Sequence, residues 1–250
     1  GNYNNFSFQF SLSRNTATDP IYPKQGSNIE LSLQATPPYR NLGIRDDPEQ
    51  LADVEERFRY VEYHKWRLNA EWYTPLTGNQ KLVLKTQAKI GFLGSYDGDI
   101  GVSPFERFQL GGDGVNNQQF AFAGVDIISL RGYEIEDLPN NFITTQTGGT
   151  RKIATPIFSK YTVELRYPLS LNPSSTIFVL AFAQGGNAWR TSRDFNPFDL
   201  KRSVGLGARV FLPMFGTLGF DWGYGFDKNP DLSENGNLST FNIILGFEPE

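Results

Sequence analysis

Cysteine is absent from this chain, and histidine and methionine occur once each. Without cysteine there is no disulfide framework, no thiolate metal site and no cysteine nucleophile. No run of eighteen or more apolar residues occurs either, which excludes a transmembrane helix. A membrane barrel stays open, because its strands alternate lipid-facing and lumen-facing side chains and average to a mild hydropathy. The formal net charge is only −4 over 250 residues, which gives no electrostatic case for a nucleic-acid partner. No leader of basic residues followed by an apolar core is visible. The chain opens on Gly1-Asn2 and runs almost at once into a strand pattern, as expected of a mature fragment.

Aromatic and turn-forming residues are plentiful: 21 Phe, 11 Tyr and 4 Trp, with 25 Gly and 15 Pro. Alternation of period two dominates. Phe6, Phe8, Phe10 and Leu12 alternate with Ser7, Gln9, Ser11 and Ser13. Ile29, Leu31, Leu33 and Ala35 alternate with Glu30, Ser32 and Gln34, and Trp66, Leu68, Ala70 and Trp72 with Arg67, Asn69 and Glu71. The clearest run sets Leu218, Phe220, Trp222, Tyr224 and Phe226 against Gly219, Asp221, Gly223, Gly225 and Asp227. Further strands are expected over 81–96, 158–169, 176–189, 201–213 and 240–248. Glu49 to Arg59 hints at a helical period, but without a sustained apolar stripe it reads as a solvated loop.

Strand breaks carry turn chemistry at Pro37-Pro38, Thr77-Gly78-Asn79, Asn172-Pro173, Pro213-Met214-Phe215-Gly216 and Asn235-Gly236-Asn237. Connections at 77–80, 170–175 and 214–217 are short, and those at 37–59, 97–157, 190–200 and 228–239 are longer and polar. An up-and-down barrel of the bacterial outer membrane alternates tight turns and long loops in this way. A soluble β-sandwich alternates apolar and polar residues too. Several strands here reach about ten residues, enough to cross a bilayer when tilted, against about five or six in most sandwiches. Tyr60, Tyr63, Trp66, Trp72, Tyr73, Tyr161, Tyr167 and Trp189 also recur near strand ends, as an interfacial girdle requires. Both features favour the barrel. The count of about nine strands is odd where single-chain bacterial barrels are even, so further strands are expected ahead of Gly1.

The 97–157 connection is far longer than compact domains tolerate unless it is functional or disordered. Phe105-Glu106-Arg107-Phe108-Gln109-Leu110-Gly111-Gly112 leads into it, and Tyr161-Thr162-Val163-Glu164-Leu165-Arg166-Tyr167-Pro168 follows it. Between them stands Leu130-Arg131-Gly132-Tyr133, a tip that suits a plug or latch. On the residues alone, a solvated loop arginine is an equal reading.

These motifs, continued by Phe182-Ala183-Gln184-Gly185-Gly186-Asn187-Ala188-Trp189, Ser203-Val204-Gly205-Leu206-Gly207-Ala208-Arg209-Val210 and a final strand near Gly246-Phe247, resemble the carboxy-terminal part of a BamA-type outer-membrane insertase barrel. The match is clear from about Pro104 to Phe247 and looser before that. The resemblance implies an all-β fold, an antiparallel transmembrane β-barrel of sixteen strands of which this chain holds about nine. Residues 1–250 would then be a partial barrel domain with a lumen-directed loop at about 97–157. It implies a bacterial outer-membrane protein that is no enzyme, uses no cofactor or metal, and inserts other barrel proteins by strand templating at a lateral seam. Its partners would be unfolded outer-membrane protein clients, accessory assembly lipoproteins and outer-membrane lipid.

Residue by residue, the resemblance makes Arg131 the loop arginine, flanked by Leu130, Gly132 and Tyr133, and Glu164 its carboxylate on the inner wall. Glu164 shares a strand face with Thr162 and Arg166, opposite Val163 and Leu165, and an arginine fork in a partly dry lumen needs such a partner. Many family members carry a second carboxylate where this chain has Gln184. Glu164 is therefore expected to be the sole anionic partner, with Gln184 a candidate second contact. Phe241, Ile243, Leu245, Gly246 and Phe247 would form the seam strand, Gly246 standing where the family's last strand kinks. The chain continues past Phe247 to Glu248-Pro249-Glu250, unlike members that end on an aromatic. A polypeptide-translocating barrel of the same superfamily shares the loop motif, and a passive pore or adhesive barrel is a further alternative.

Bond chemistry finds little support. His64 has no Gly-x-Ser-x-Gly elbow or comparable nucleophile to serve. Asp97-Gly98-Asp99 and Asp113-Gly114 lack the ligand ladder of a calcium loop and read as turns. Gly205-Leu206-Gly207 precedes no helix, so it makes no nucleotide site.

Overall fold

Each alternating run places large apolar side chains on one face and small or charged ones on the other, and pairing aligns like faces. A computed structural model of the chain describes residues 4–44, 60–96, 101–112, 124–144, 150–172, 174–214, 216–228 and 238–245. Nine long strands result: β1 (Phe8–Asn15), β2 (Gly26–Ala35), β3 (His64–Pro75), β4 (Val83–Gly94), β9 (Ile157–Asn172), β10 (Ser175–Trp189), β11 (Lys201–Leu212), β12 (Gly216–Gly225) and β13 (Ser239–Leu245). They form one sheet in the order β1-β2-β3-β4-β9-β10-β11-β12-β13, every neighbouring pair antiparallel. The long connection adds two small ladders: β5 (Phe108–Leu110) parallel to β6 (Asp126–Ile128), and β7 (Phe142–Thr144) antiparallel to β8 (Thr150–Lys152).

The two faces of the sheet are inverted relative to a soluble protein. Lys65, Glu71, Lys85, Glu164, Arg166, Arg209 and Asp221 are buried on one face. On the other, Phe10, Leu165, Tyr167, Leu206, Trp222 and Phe241 are exposed, Leu206 at 61% and Phe241 at 62%. A sheet that encloses its charges and displays a continuous apolar surface is solvated by lipid. The chain is thus part of an antiparallel outer-membrane β-barrel, with β1 and β13 at the two open edges of the sheet.

The strands are joined at one end of the sheet through connections 76–82, 173–174 and 213–215, and at the other through 36–63, 95–156, 190–200 and 226–238. The β1–β2 connection at the short-turn end folds inward. Asp19 Oδ1 accepts the amides of Ile21 and Tyr22 at 2.8 and 2.9 Å, which swings Tyr22 edge-on against Phe178 with ring centroids 5.3 Å apart. There Tyr22 joins Tyr73, Val83, Phe178, Leu180 and Phe182 in a buried cluster. A second cluster, at the long-loop end, joins Val61, Tyr63, Leu93 and Phe158 to Phe108, Leu110, Leu130 and Tyr133 of the loop.

The aromatic girdle needs correction. Trp66, Trp72 and Tyr167 are exposed on the apolar face, but Tyr63, Tyr73 and Trp189 are buried. Adjacent residues on a strand face opposite ways, so Trp72 outside places Tyr73 inside, where its hydroxyl donates to Glu71 Oε2 at 2.7 Å. Trp189 packs edge-on against Phe195, centroids 4.9 Å apart. The Glu49–Arg59 stretch, Asp97 to Asp99, Asp113-Gly114, Gly246 and Phe247 lie outside the described residues.

Candidate functional site

The long loop reaches the inner wall through its own turn chemistry. Gly111 and Gly112 take φ values of 112° and 75°, a region closed to most L-residues. Their amides donate to the carbonyls of Ile128 and Tyr133, both at 2.9 Å. The Tyr133 amide then donates to the Leu130 carbonyl at 3.0 Å, closing a tight turn around Arg131 and Gly132. Gly132 has φ 90°. This turn sends Leu130 into the apolar cluster and Arg131 toward the charged wall.

Arg131 is 6% exposed and meets three strands. Its Nη2 donates to Glu164 Oε1 on β9 at 2.5 Å, and its Nη1 lies 3.7 Å from Asp221 Oδ2 on β12. Its guanidinium centre sits 3.9 Å from the Phe182 ring centroid on β10, a cation–π placement. Its backbone amide donates to Gln184 Oε1 at 3.0 Å, and Gln184 Nε2 is fixed in turn by Thr162 Oγ1 at 3.0 Å. The structure therefore brings Arg131 together with Glu164 and Gln184. It corrects the expectation of a single anionic partner, because Asp221 on β12 supplies a second carboxylate three strands along the sheet from Glu164. The charge absent at position 184 is present at 221, and only the sheet register shows that the two positions converge.

Two wall arginines complete the network. Arg166 Nε donates to Glu164 Oε2 at 2.8 Å. Arg209 grips Asp221 through both Nη atoms, each at 2.8 Å, the planar fork-on-carboxylate arrangement. Room for that grip comes from missing side chains. A Cβ on Gly207 would stand 2.1 Å from Asp221 Oδ1, and one on Gly219 would stand 3.1 Å from Arg209 Cδ.

The tip lies in a trench of glycine backbone. A Cβ on Gly223 would stand 2.7 Å from the Gly132 nitrogen, and one on Gly225 would stand 2.8 Å from the Gly132 carbonyl oxygen. Past the tip, the Tyr133 hydroxyl donates to the Arg202 carbonyl at 2.7 Å and accepts the Asp227 amide at 3.0 Å. Burial pushes the Tyr133 phenol up to about 12. Asp227 also holds the Arg202 side chain at 2.9 and 3.2 Å, and those bonds keep its carboxyl below the usual carboxylate range. Nearby, Asp137 Oδ2 accepts the Glu134 amide at 2.7 Å and Lys228 Nζ at 2.8 Å.

Sequence reasoning missed Asp221, Arg166 and Arg209 as parts of one site, and Gly223 and Gly225 as its floor. The alternation already put Asp221 and these glycines on one face. Among the seam residues, Phe241 and Ile243 point outward and are 62% and 49% exposed, and Leu245 ends β13. His64 takes no part in the site. It accepts the Trp66 indole N–H at 3.2 Å and stacks on Phe92. Among the described residues no His, Cys, Asp and Glu group is arranged to hold a metal ion. What the arrangement can do is bind and hold a loop.

A family model described as the Omp85 superfamily domain matches residues 1–247. Among solved structures, the crystal structure of BamA from Haemophilus ducreyi lacking POTRA domains 1-3 superposes with a TM-score of 0.64 at 17% identity, covering 96% of this chain and 41% of that one. The likeness is one of fold, and the chain spans about two fifths of the length of the structure it matches. No curated protein matches it in sequence.

Proposed function

The chain belongs to the Omp85 superfamily of outer-membrane barrels, insertases or translocators, and from that premise we propose that it assembles and inserts other outer-membrane β-barrel proteins. In this reading residues 97–157 are a lumen-directed loop and Leu130, Arg131, Gly132, Tyr133 and Glu164 are its latch, with Gln184 a second contact. Phe241, Ile243, Leu245, Gly246 and Phe247 form the strand at the lateral seam. Client strands template there because an unpaired backbone edge in lipid is costly. The work is binding and strand exchange rather than bond chemistry, driven by the client's own folding. Partners are unfolded outer-membrane proteins, accessory assembly lipoproteins and outer-membrane lipid.

The observation that supports this reading is where the tip rests. Arg131 and Gly132 lie on β12, the strand hydrogen-bonded to β13, so the loop braces the strand pair next to the proposed seam. Cells that depend on the full-length protein test it. Replacing it with an Arg131→Ala variant should lower the amount of folded client barrels. If client barrels assemble normally and a secreted polypeptide instead fails to cross, the protein is a translocator.

A further inference from the structure

Each carboxylate that Arg131 approaches already has an arginine of its own. Glu164 is held by Arg166, and Asp221 is gripped through both oxygens by Arg209. Lys85, opposite Glu164 in the β4–β9 register, pairs with Glu71 at 3.0 Å. Arg131 is thus the third guanidinium on two carboxylates, and among the described residues its buried Nη1 has no hydrogen-bond partner. Counting only these arginines and carboxylates, there are three guanidiniums to two carboxylates with the tip seated and two to two with Arg131 withdrawn, while the buried Lys85 and Lys160 also face Glu164.

We infer that Arg166 and Arg209 are positioning residues that make the seated tip releasable, by keeping Glu164 and Asp221 paired when Arg131 leaves. Breaking an ordinary buried ion pair is strongly destabilising because one charge stays behind uncompensated. Here neither carboxylate is left alone. The Arg131 tip itself is held by the Glu164 and Gln184 hydrogen bonds, the Phe182 ring and the glycine trench, contacts that can part without stranding a charge, while the Asp137–Lys228 and Lys65–Asp126 pairs anchor the loop on either side of it. The glycines at 207 and 219 leave the space that the Arg209–Asp221 pair occupies, so that pairing does not depend on the tip being seated. The inference deepens the proposed function in one respect: it takes the loop to leave its seat during the protein's work.

A thiol beneath the tip tests it. Ser203 is 1% exposed, its hydroxyl has no hydrogen-bond partner, and a Cβ on Gly132 would stand 2.9 Å from its Cβ. Ser203→Cys, in full-length protein without other reactive thiols, reacts with N-ethylmaleimide only when the tip lifts. In that background Arg131→Ala should speed labelling and Arg209→Met should slow it, because Asp221 then depends on Arg131. The acceleration caused by Arg131→Ala should be at least about tenfold larger with Arg209→Met than without it. Equal acceleration in both backgrounds, or faster labelling in Arg209→Met alone, overturns the inference. If Arg209→Met does not fold, Arg166→Met gives the same cycle through Glu164. A large coupling with unchanged client assembly in Arg131→Ala would remove the insertase reading and leave the releasable wall standing. Normal dependence of assembly on Arg131 with no coupling would do the reverse.

Discussion

Gly132 of the long loop and Gly223 of β12 meet backbone to backbone: a Cβ on Gly223 would lie 2.7 Å from the Gly132 nitrogen and 2.9 Å from its Cα. Neither neighbour is a flexible side chain that can step aside. Gly223→Ala should therefore cost about 1–3 kcal/mol through overpacking and lift the tip. Gly78→Ala, in a turn with open space around it, should cost nothing comparable. Heat-modifiable migration of the purified barrel on gels gives both midpoints.

The wall charges predict an asymmetry between the two ends of one ion pair. Arg131→Ala leaves Glu164 with Arg166 and Asp221 with Arg209, so its cost should stay near 1–2 kcal/mol, roughly that of lost hydrogen bonds. Glu164→Gln leaves Arg131 and Arg166 facing one another without their shared carboxylate. Its cost should approach the ~3–5 kcal/mol of a broken buried pair. Calorimetry of the two variants in detergent decides the order.

Tyr133 and Asp227 set a pH window for the clasp behind the tip. The Asp227 carboxyl is held low by Arg202, so the stability it adds is present above the unfolded value of about 4 and is lost as pH falls through the lower folded value. The Tyr133 phenol is pushed up to about 12 by burial. Its contribution is complete below the unfolded value of about 10 and is lost as pH rises toward the folded one. Tip accessibility, read as thiol labelling beneath it relative to an exposed thiol at the same pH, which removes the change in thiolate fraction, should be flat from about pH 5 to 9 and rise outside that range. Tyr133→Phe should remove the alkaline limb and leave the acid one.

The apolar face makes a prediction about lipid. Leu206 lies mid-strand and 61% exposed, so Leu206→Arg should destabilise the barrel by roughly 2–4 kcal/mol in a bilayer. Leu42 is 59% exposed in the 36–63 connection, and Leu42→Arg there should be neutral. Unfolding in lipid vesicles by denaturant compares them.

Much of this was legible from period-two alternation, because strand faces are a local property. The runs around Phe8, Trp66 and Trp222 foretold which residues face lipid, and turn chemistry at Thr77-Gly78-Asn79 and Asn172-Pro173 marked the short-turn end. The inward turn of Tyr73 follows from the same rule, applied one residue past Trp72. Convergence was not legible. Gln184, Glu164 and Asp221 lie on three strands, and only their register brings them to one arginine. The glycines of β12 read as small residues on a face, and their purpose appears only where the Gly132 backbone lies against them.

We propose that the full-length protein inserts other barrels and does so with its loop arginine. Full-length protein in liposomes, offered an unfolded outer-membrane barrel, should convert it to a protease-resistant, membrane-inserted form faster than protein-free liposomes do, and Arg131→Ala should slow that conversion several-fold. A client insertion rate no greater than in protein-free liposomes would contradict the account.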